Sequence, residues 1–306
     1  MIYTVTLNPS IDYVVNMEQL VEGMVNRVST EHFYAGGKGI NVSQILNQHG
    51  ISNRALGFIS GFTGNFIEGS LKEKGIDTDF IRLSEGYSRI NMKIKTTTDE
   101  TEINGMGPHI PKTEIDKLYR QLDLLTADDT LVLAGSIPAT LPDDFYEKVM
   151  EHVRNRGVKV VVDATKNLLL NVLTYRPFLI KPNHHEIAEM FGVTISTTED
   201  LLQYGKRLKD MGARNVLISM GGDGAILLAE NGEVYRSNVP KGVVKNSVGA
   251  GDSMVAGFIA GYEKTQCYEQ ALRLGAASGS ATAFSSDVAT AEEISALVKE
   301  IVVQKI

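Results

Sequence analysis

The chain has 306 residues, of which 43% are hydrophobic and 22% are charged, a composition typical of a globular protein with a large core. Its formal net charge is −7, and it has no run of Lys and Arg, which disfavours a nucleic-acid-binding protein. No apolar run approaches the ~20 residues that a membrane span needs. We therefore predict neither a nucleic-acid partner nor a membrane partner.

The cysteine usage indicates a reducing compartment. Cys267 is the single cysteine, so the chain can form no intrachain disulfide. Residues 1–5 lack the basic region and the long apolar stretch of a secretion signal. Together these features predict a cytoplasmic protein.

Short β-branched runs alternate with amphipathic helical patterns along most of the chain. The predicted buried strands are residues 2–7, 130–134, 158–163, 178–181 and 215–220. Helical patterns run from about residue 142 to 157 and from 198 to 212. Repeated strand-then-helix units predict a parallel sheet with helices on both faces, and ligands in such sheets bind at the carboxyl ends of the strands.

Two stretches break this alternation. Residues 12–34 show no clean helical period. Residues 87–104 predict a hairpin, because Ile90, Met92 and Ile94 alternate with polar residues before a turn at residues 98–100. Half-apolar strands of this kind form either a small lid over an active site or an ordinary sheet edge, and the pattern alone favours neither.

The segment NSVGAGDS, residues 246–253, places two glycines where a helix begins. Glycines let backbone N–H groups approach an anion, and a helix N-terminus adds unpaired donors and a favourable dipole. The N–H groups of Gly249, Ala250 and Gly251 could therefore stabilise a transferring phosphoryl group, and Asp252 could take a proton from an attacking hydroxyl. The alternative is that Asp252 only caps the helix and the glycines form a tight turn.

A second glycine-rich loop, YAGGKGINV at residues 34–42, also leads into an amphipathic helix. Asn41 and the backbone suit sugar hydroxyls, and Lys38 suits a phosphate. The loop lacks the GxxxxGK[ST] pattern of a Walker A site. A plain flexible turn is the alternative.

Polar residues follow three predicted strands. Asn8 and Asp12 come after the first strand and could bond sugar hydroxyls, although such residues also form turns. Asn183 and Glu186 are spaced as a helix capping box, which does not exclude a role near magnesium. Residues 219–224 could pass beneath a nucleotide, but they match GxGxxG incompletely, which disfavours a dinucleotide-binding Rossmann site.

These segments, in this order, resemble those of the PfkB (ribokinase-like) carbohydrate kinases along nearly the whole chain. The first family signature is matched by AGGKGINVS and the second by NSVGAGDSMVAGF, with KPNHHE between them. Within the family, the chain most resembles the bacterial 1-phosphofructokinases. The segments that carry this resemblance are TVTLNPSID, SRINMKI, ETEING and AGSIP. Tagatose-6-phosphate kinases are similar in their opening segment and glycine loops.

The resemblance implies one ribokinase-like α/β domain over residues 1–306, a three-layer α/β/α sandwich with a mostly parallel central sheet. A small β-sheet lid would come from about residues 12–34 and 87–106. The implied reaction is ATP-dependent phosphorylation of fructose 1-phosphate to fructose 1,6-bisphosphate with Mg²⁺. The alternatives are phosphorylation of tagatose 6-phosphate to tagatose 1,6-bisphosphate and a non-catalytic sugar-phosphate sensor. Lids in this family can pair between subunits, which suggests a homodimer.

Matching motifs carry the family's site residues to this chain. Asp252 becomes the base, and the anion hole falls on Gly249, Ala250 and Gly251. The implied substrate contacts are Asn8, Asp12, Gly36, Gly37, Lys38, Asn41, Arg89, Ser136 and Arg27, with Lys38, Arg89 and Arg27 gripping the substrate's phosphate. The implied ATP contacts are Lys181, Asn183, Ser219, Gly221, Gly222, Gly224, Ser247, Gly249 and Gly251, and Glu186 is an indirect magnesium contact. Many family members begin the second signature with Asp-Thr-Thr, whereas this chain has Asn246, which puts a charged role there in doubt.

Overall fold

The computed structural model describes residues 1–164 and 166–306. The strands in these residues are β1 (Ile2–Thr6), β2 (Ser10–Asn16), β3 (Thr30–Gly36), β4 (Asn53–Ile59), β5 (Asp77–Thr78), β6 (Ile81–Arg82), β7 (Arg89–Lys95), β8 (Glu100–Asn104), β9 (Thr130–Ala134), β10 (Lys159–Asp163), β11 (Leu179–Ile180), β12 (Asn215–Ser219), β13 (Ala225–Leu228), β14 (Val234–Ser237) and β15 (Val303–Lys305). The helices are α1 (Lys38–Gln48), α2 (Gly61–Glu73), α3 (Lys112–Leu122), α4 (Phe145–Val153), α5 (Lys166–Val172), α6 (His184–Phe191), α7 (Thr198–Asp210), α8 (Ala250–Thr265), α9 (Tyr268–Phe284) and α10 (Ala291–Val298).

The main sheet is mostly parallel. Its strands follow the order β15-β14-β13-β12-β11-β10-β9-β1-β4-β5, and β6 also pairs with β4. Every pairing from β12 to β5 is parallel, whereas β13, β14 and β15 add an antiparallel edge. All five residues of β9 are buried, as expected for a central strand covered on both faces.

Helices cover both faces of the main sheet. Alternate residues of β9 point to opposite faces, so Leu131 joins a core with α3 to α7 and Val132 joins a core with α1, α8, α9 and α10. The predicted α/β/α sandwich is therefore confirmed.

A separate sheet of four strands, in the order β3-β2-β7-β8, lies beside the main sheet. β2 is parallel to β7 and antiparallel to β3, so the sheet joins residues 10–36 to residues 89–104. The predicted hairpin is present as β7 and β8, and the small sheet of the predicted fold class is confirmed.

The turn of this hairpin was predicted two residues too late. Glu100 already belongs to β8, and the Thr96 N–H donates to the Asp99 carbonyl over 2.8 Å. The Thr96 hydroxyl oxygen also accepts the N–H of Asp99 at 2.9 Å. This side-chain bond closes the turn at residues 96–99.

The helix predicted from residue 142 begins at Phe145. The carbonyl of Pro142 accepts the Phe145 N–H in a preceding turn, at 3.0 Å, rather than opening the helix itself. At the other end, α4 gives way to a short 3-10 turn, Arg154–Arg156, which ends at Gly157 in the left-handed region.

None of the helices in the described residues combines the length and apolar character that crossing a lipid bilayer would require.

Gly57 lies on β4, where it is paired with Thr6 of β1. Its φ is +143°, and an added Cβ would collide with the carbonyl oxygen of Thr6 on the paired strand. We expect Gly57→Ala to lower the free energy of unfolding by more than about 2 kcal/mol, since it adds backbone strain to a clash with immobile backbone.

Gly69→Ala is the matched control, because an added Cβ there meets no atom within 4 Å on α2. Removing a mid-helix glycine should raise the free energy of unfolding by ~0.5–1 kcal/mol. Urea unfolding measures both variants. A Gly57→Ala midpoint at or above that of the wild type would contradict the prediction.

Candidate active site

Three neighbouring clefts lie where strands of the main sheet end. Cleft 1 is lined by Thr6, Asn8, Gly37, Lys38, Arg89, Ala134, Gly135, Ser136 and Ala164. Cleft 2 is lined by Ser10, Asp12, Gly37, Lys38, Asn41, Arg89, Asn91, Lys93, Glu102, Asn104, Asp163, Lys181, Val248, Gly249, Gly251 and Asp252. Cleft 3 includes Ser219, Gly221, Gly222, Gly224, Ser247, Ala250, Gly251, Met254 and Phe284.

Shared residues connect the three clefts. Gly37, Lys38 and Arg89 line both cleft 1 and cleft 2, and Gly251 lines both cleft 2 and cleft 3. The first turn of α8 therefore lies between cleft 2, which holds predicted substrate contacts, and cleft 3, which holds predicted ATP contacts. Residues from the two glycine-rich sequence segments, which are about 200 positions apart in the chain, meet at cleft 2.

The start of α8 has the geometry expected of an anion-binding helix end. Gly249 precedes the helix with φ +79°, a conformation that favours glycine, and α8 begins at Ala250 as predicted. Gly251 leaves room for a cation, because an added Cβ would lie 3.0 Å from the Lys181 Nζ atom. Within the described chain no side chain caps this helix end, and the Ala250 N–H makes only a long bond of 3.3 Å, to the Ser247 carbonyl. This helix end can therefore serve an anion.

Asp252 does not cap α8. Its Oδ2 atom instead accepts a hydrogen bond from the Asn41 amide at 2.8 Å, and its side chain faces cleft 2. Only 5% of the residue is exposed. The alternative prediction, that Asp252 merely caps the helix, does not describe the structure.

Burial, and after it the negative charge of Asp163, raise the pKa of Asp252. Lys38, the Asn41 hydrogen bond and Lys181 partly offset this rise, and the net pKa is about 7. A carboxyl group that titrates near neutral pH is well matched to accept and release protons at that pH.

Asp163 was not predicted as a site residue, although it ends a predicted strand. It is 2% exposed and lies between two lysines, with its Oδ2 atom 3.3 Å from Lys38 Nζ and its Oδ1 atom 3.5 Å from Lys181 Nζ. Burial opposes its ionisation, but the two lysines outweigh burial and hold its pKa below the usual value. The available signal was a carboxylate at the carboxyl end of a continuous apolar strand.

Lys38 is half-buried and remains a cation. Burial lowers its pKa, but the carboxylates of Asp163, Asp252 and Glu186 more than reverse that effect, so its pKa is raised. This arrangement keeps a positive charge at the boundary of clefts 1 and 2, where an anionic ligand could bind.

Asp12 is held by three donors of the small sheet. Its Oδ1 atom accepts from the Ser10 hydroxyl at 2.8 Å and from the Asn91 amide at 3.0 Å, and its Oδ2 atom is 3.0 Å from the Lys93 ammonium group. Gly36 is required here, since an added Cβ would be 2.6 Å from the carboxyl carbon of Asp12. Asn91 and Lys93 were not predicted as contacts, although alternation along β7 places them on the same face as Arg89.

The predicted nucleotide contacts separate into two places. Ser219, Gly221, Gly222, Gly224 and Ser247 line cleft 3 together. Lys181 lines cleft 2 instead, where it pairs with the carboxylate of residue 163.

Asn183 and Glu186 form the predicted capping box at the start of α6. The Glu186 N–H donates to Asn183 Oδ1, and the Asn183 N–H donates to Glu186 Oε2, both at 2.8 Å. In the described structure, Asn183 lines none of the three clefts, but the charge of Glu186 reaches Lys38.

Arg27 is a predicted substrate contact that the described structure places away from the three clefts. It is exposed between β2 and β3 and lines none of the three clefts. Among described residues, no group of three His, Cys, Asp or Glu side chains is placed to hold a metal ion by itself.

Comparisons with known proteins agree with this geometry. The family model described as pfkB family carbohydrate kinase matches residues 5–294. A 1-phosphofructokinase of Bacillus subtilis (strain 168) is 49% identical over 306 residues and is covered completely, as is this chain. A D-tagatose-1-phosphate kinase of Bacillus licheniformis is 39% identical over 286 residues, 93% of each chain. The crystal structure of phosphofructokinase-2 from Escherichia coli in complex with substrates and products has the same fold, with a TM-score of 0.92 and 23% identity over 98% of each chain.

The chain therefore belongs to the pfkB family of carbohydrate kinases. It is an ATP-dependent sugar kinase, as the sequence motifs predicted.

The titration of Asp252 can be measured directly. We expect a carboxyl-carbon NMR titration of aspartate-labelled protein to give a midpoint near 7, with Asp252→Asn identifying the signal. Asp163→Asn should lower this midpoint, because it removes a like charge and releases both lysines to stabilise the ionised form of Asp252. A wild-type midpoint near the ordinary 3.8, or an upward shift in Asp163→Asn, would refute this electrostatic account.

Proposed function

We propose that the chain transfers the γ-phosphoryl group of ATP to the 6-hydroxyl group of fructose 1-phosphate, giving fructose 1,6-bisphosphate. The observation that carries the proposal is the position of Gly251, which lines both the cleft with Asp252 and the glycine-rich cleft 3. A phosphoryl group at this helix end can pass from one cleft to the other. The fully covered 1-phosphofructokinase relative supports the choice of sugar.

The phosphate that the sugar already carries fits cleft 1. Lys38 and Arg89 line this cleft and extend into cleft 2, so they can grip a phosphate at the boundary while Ser136 and Asn8 surround it. A ketose 1-phosphate would then span the two clefts. Its phosphate would lie in cleft 1, and its 6-hydroxyl group, at the opposite end of the sugar, would lie in cleft 2. That hydroxyl would point towards Asp252.

In the proposed reaction, a carboxylate oxygen of Asp252 accepts the proton of the 6-hydroxyl group as this oxygen attacks the γ-phosphorus of ATP. The bond between that phosphorus and the bridging oxygen of ADP breaks in line with the attack. The amides of Gly249, Ala250 and Gly251 face the equatorial oxygens of the migrating group. The fixed dipole of α8 favours the negative charge there.

ATP fits cleft 3, where Met254 and Phe284 offer apolar surface for the base and the turn of residues 219–224 leaves room for the nucleotide. Mg²⁺ would neutralise charge on the ATP phosphates. Such ions usually bind through one or two carboxylates and substrate phosphates, so the lack of a three-residue cluster in the described chain does not argue against one. Glu186 is the carboxylate that we propose as an indirect contact.

We propose that the small sheet acts as a lid over clefts 1 and 2. Asp12, Arg89 and Asn91 belong to it and face cleft 2, so closing the sheet would bring them onto the sugar and exclude water. The opposite surface carries exposed apolar side chains, with Phe33 52% and Ile103 57% exposed. These side chains are consistent with the predicted homodimer through the lid. A cytoplasmic location remains part of the proposal and rests on the single cysteine.

Tagatose 1-phosphate is the second candidate substrate, favoured by the 39% identical relative named D-tagatose-1-phosphate kinase. It differs from fructose 1-phosphate only in configuration at C4, so its phosphate and 6-hydroxyl group would occupy the same clefts. Tagatose 6-phosphate, the alternative predicted from the sequence, would have to bind in the opposite orientation, with its 6-phosphate in cleft 1 and its 1-hydroxyl group at Asp252. Family membership leaves the predicted sensor alternative without support.

A coupled ADP-release assay tests the proposal. We expect fructose 1-phosphate to have the highest kcat/KM among fructose 1-phosphate, tagatose 1-phosphate, fructose 6-phosphate and tagatose 6-phosphate. Asp252→Asn should lower kcat by roughly 10²–10⁴-fold at saturating substrate, since it removes the base. Asp210→Asn, the same change at an exposed position of α7, should leave kcat unchanged. Near-full turnover by Asp252→Asn would exclude the proposed base.

Arg89 separates sugar-phosphate binding from ATP binding. Arg89→Ala should raise KM for the sugar phosphate roughly 10- to 100-fold and leave KM for ATP nearly unchanged, because it removes a charge-assisted hydrogen bond to the substrate's phosphate. Arg27→Ala is the comparison, since Arg27 is outside the three clefts of the described chain. Equal losses for both ligands in Arg89→Ala would contradict the assignment.

A further inference from the structure

The Asn91 side chain has a buried oxygen without a partner. The residue is 6% exposed, and within the described structure its Oδ1 atom makes no hydrogen bond. Its Nδ2 atom donates to Asp12 Oδ1 at 3.0 Å. One half of the amide is therefore satisfied by the protein and the other half is not.

The neighbours of Asn91 fix how its amide group is oriented. An ionised carboxylate only accepts hydrogen bonds, so the amide nitrogen must be the atom that faces Asp12. The amide oxygen then points elsewhere. Leaving a buried acceptor unpaired is unfavourable, and such an atom in a folded protein calls for an explanation.

The position of Asn91 supplies that explanation. Asn91 lines cleft 2 together with Asp252, but it does not line cleft 1, where the proposed function puts the phosphate. On β7 it lies two residues after Arg89, and its partner across the hairpin, Asn104, lines the same cleft. A sugar whose phosphate is at Arg89 and whose 6-hydroxyl is at Asp252 presents its ring hydroxyls between them.

We propose that Asn91 is a specificity-determining residue whose Oδ1 atom accepts a hydrogen bond from a ring hydroxyl at C3 or C4 of the bound ketose phosphate. This inference rests on the proposed function and deepens it. Asn91 distinguishes ketoses by the configuration of that hydroxyl, because the wrong epimer leaves the buried oxygen unpaired. Sites that bond a substrate hydroxyl reject analogues that lack it far more strongly than apolar pockets do.

The test compares ring epimers in the intact enzyme. The kcat/KM values are measured for fructose 1-phosphate, its C4 epimer tagatose 1-phosphate and its C3 epimer allulose 1-phosphate. In Asn91→Ala the kcat/KM for the preferred ketose should fall roughly 10- to 100-fold, whereas the kcat/KM for the epimer that the wild type rejects should change far less. The wild-type preference should therefore shrink about tenfold or more, with KM for ATP unchanged.

Ser10→Ala is the matched control. It removes the other donor to the same Asp12 oxygen without touching Asn91. If loosening of Asp12 were the whole effect, both variants would change the three kcat/KM values in the same pattern. We expect the loss of epimer preference only in Asn91→Ala. If Asn91→Ala does not fold, Asn91→Leu, which fills a similar volume without polar atoms, is measured in its place.

Two results would overturn the inference: an epimer preference that survives in the Asn91 variant, or a wild-type enzyme that does not discriminate between ring epimers. Failure of the proposed function looks different. In that case the wild type would phosphorylate none of the ketose 1-phosphates but would accept another sugar phosphate. The same comparison on ring epimers of that sugar would then decide the role of Asn91.

Discussion

Two aspartates and two lysines meet at cleft 2, and the site depends on how their charges balance. Asp163 pairs with Lys38 and Lys181, which keeps it ionised even though it is 2% exposed. Burial and the neighbouring charge of Asp163 raise the pKa of Asp252 to about 7, since the two lysines offset only part of these effects. A buried ion pair of this kind rarely stabilises a fold by much. Here it sets the proton affinity of the proposed base.

The fold brings these four charges together from four separate elements. Asp163 ends β10, Lys181 follows β11, Lys38 opens α1 and Asp252 is in the first turn of α8. Parallel strands all end at the same edge of a sheet, so residues far apart in the chain meet there without any long connection. The glycines are then needed because backbone, carboxylate and ammonium groups approach one another closely at this edge.

Sequence patterns could predict the parts of the site that depend on local chemistry. The helix start at Ala250, the capping box of Asn183 and Glu186, and the strand at residues 130–134 all follow from neighbouring residues. The roles of Asp163 and Asn91 could not be predicted in this way. Their properties arise from burial and from partners distant in the chain, such as the 125 positions between Lys38 and Asp163. The hairpin turn was misplaced because the bonds of the Thr96 hydroxyl and backbone to Asp99 fix its position, and the apolar alternation does not reveal them.

The strand order of the main sheet also constrains how the protein can be made. β1 leaves the ribosome early, yet it lies in the middle of the sheet, between β4 and β9. One edge of β1 can pair once β4 has emerged, but the other must wait for residues 130–134, which follow all four strands of the small sheet in the chain. A nascent chain shorter than that carries an apolar strand with an open edge, which is a template for aggregation and a natural target for chaperones.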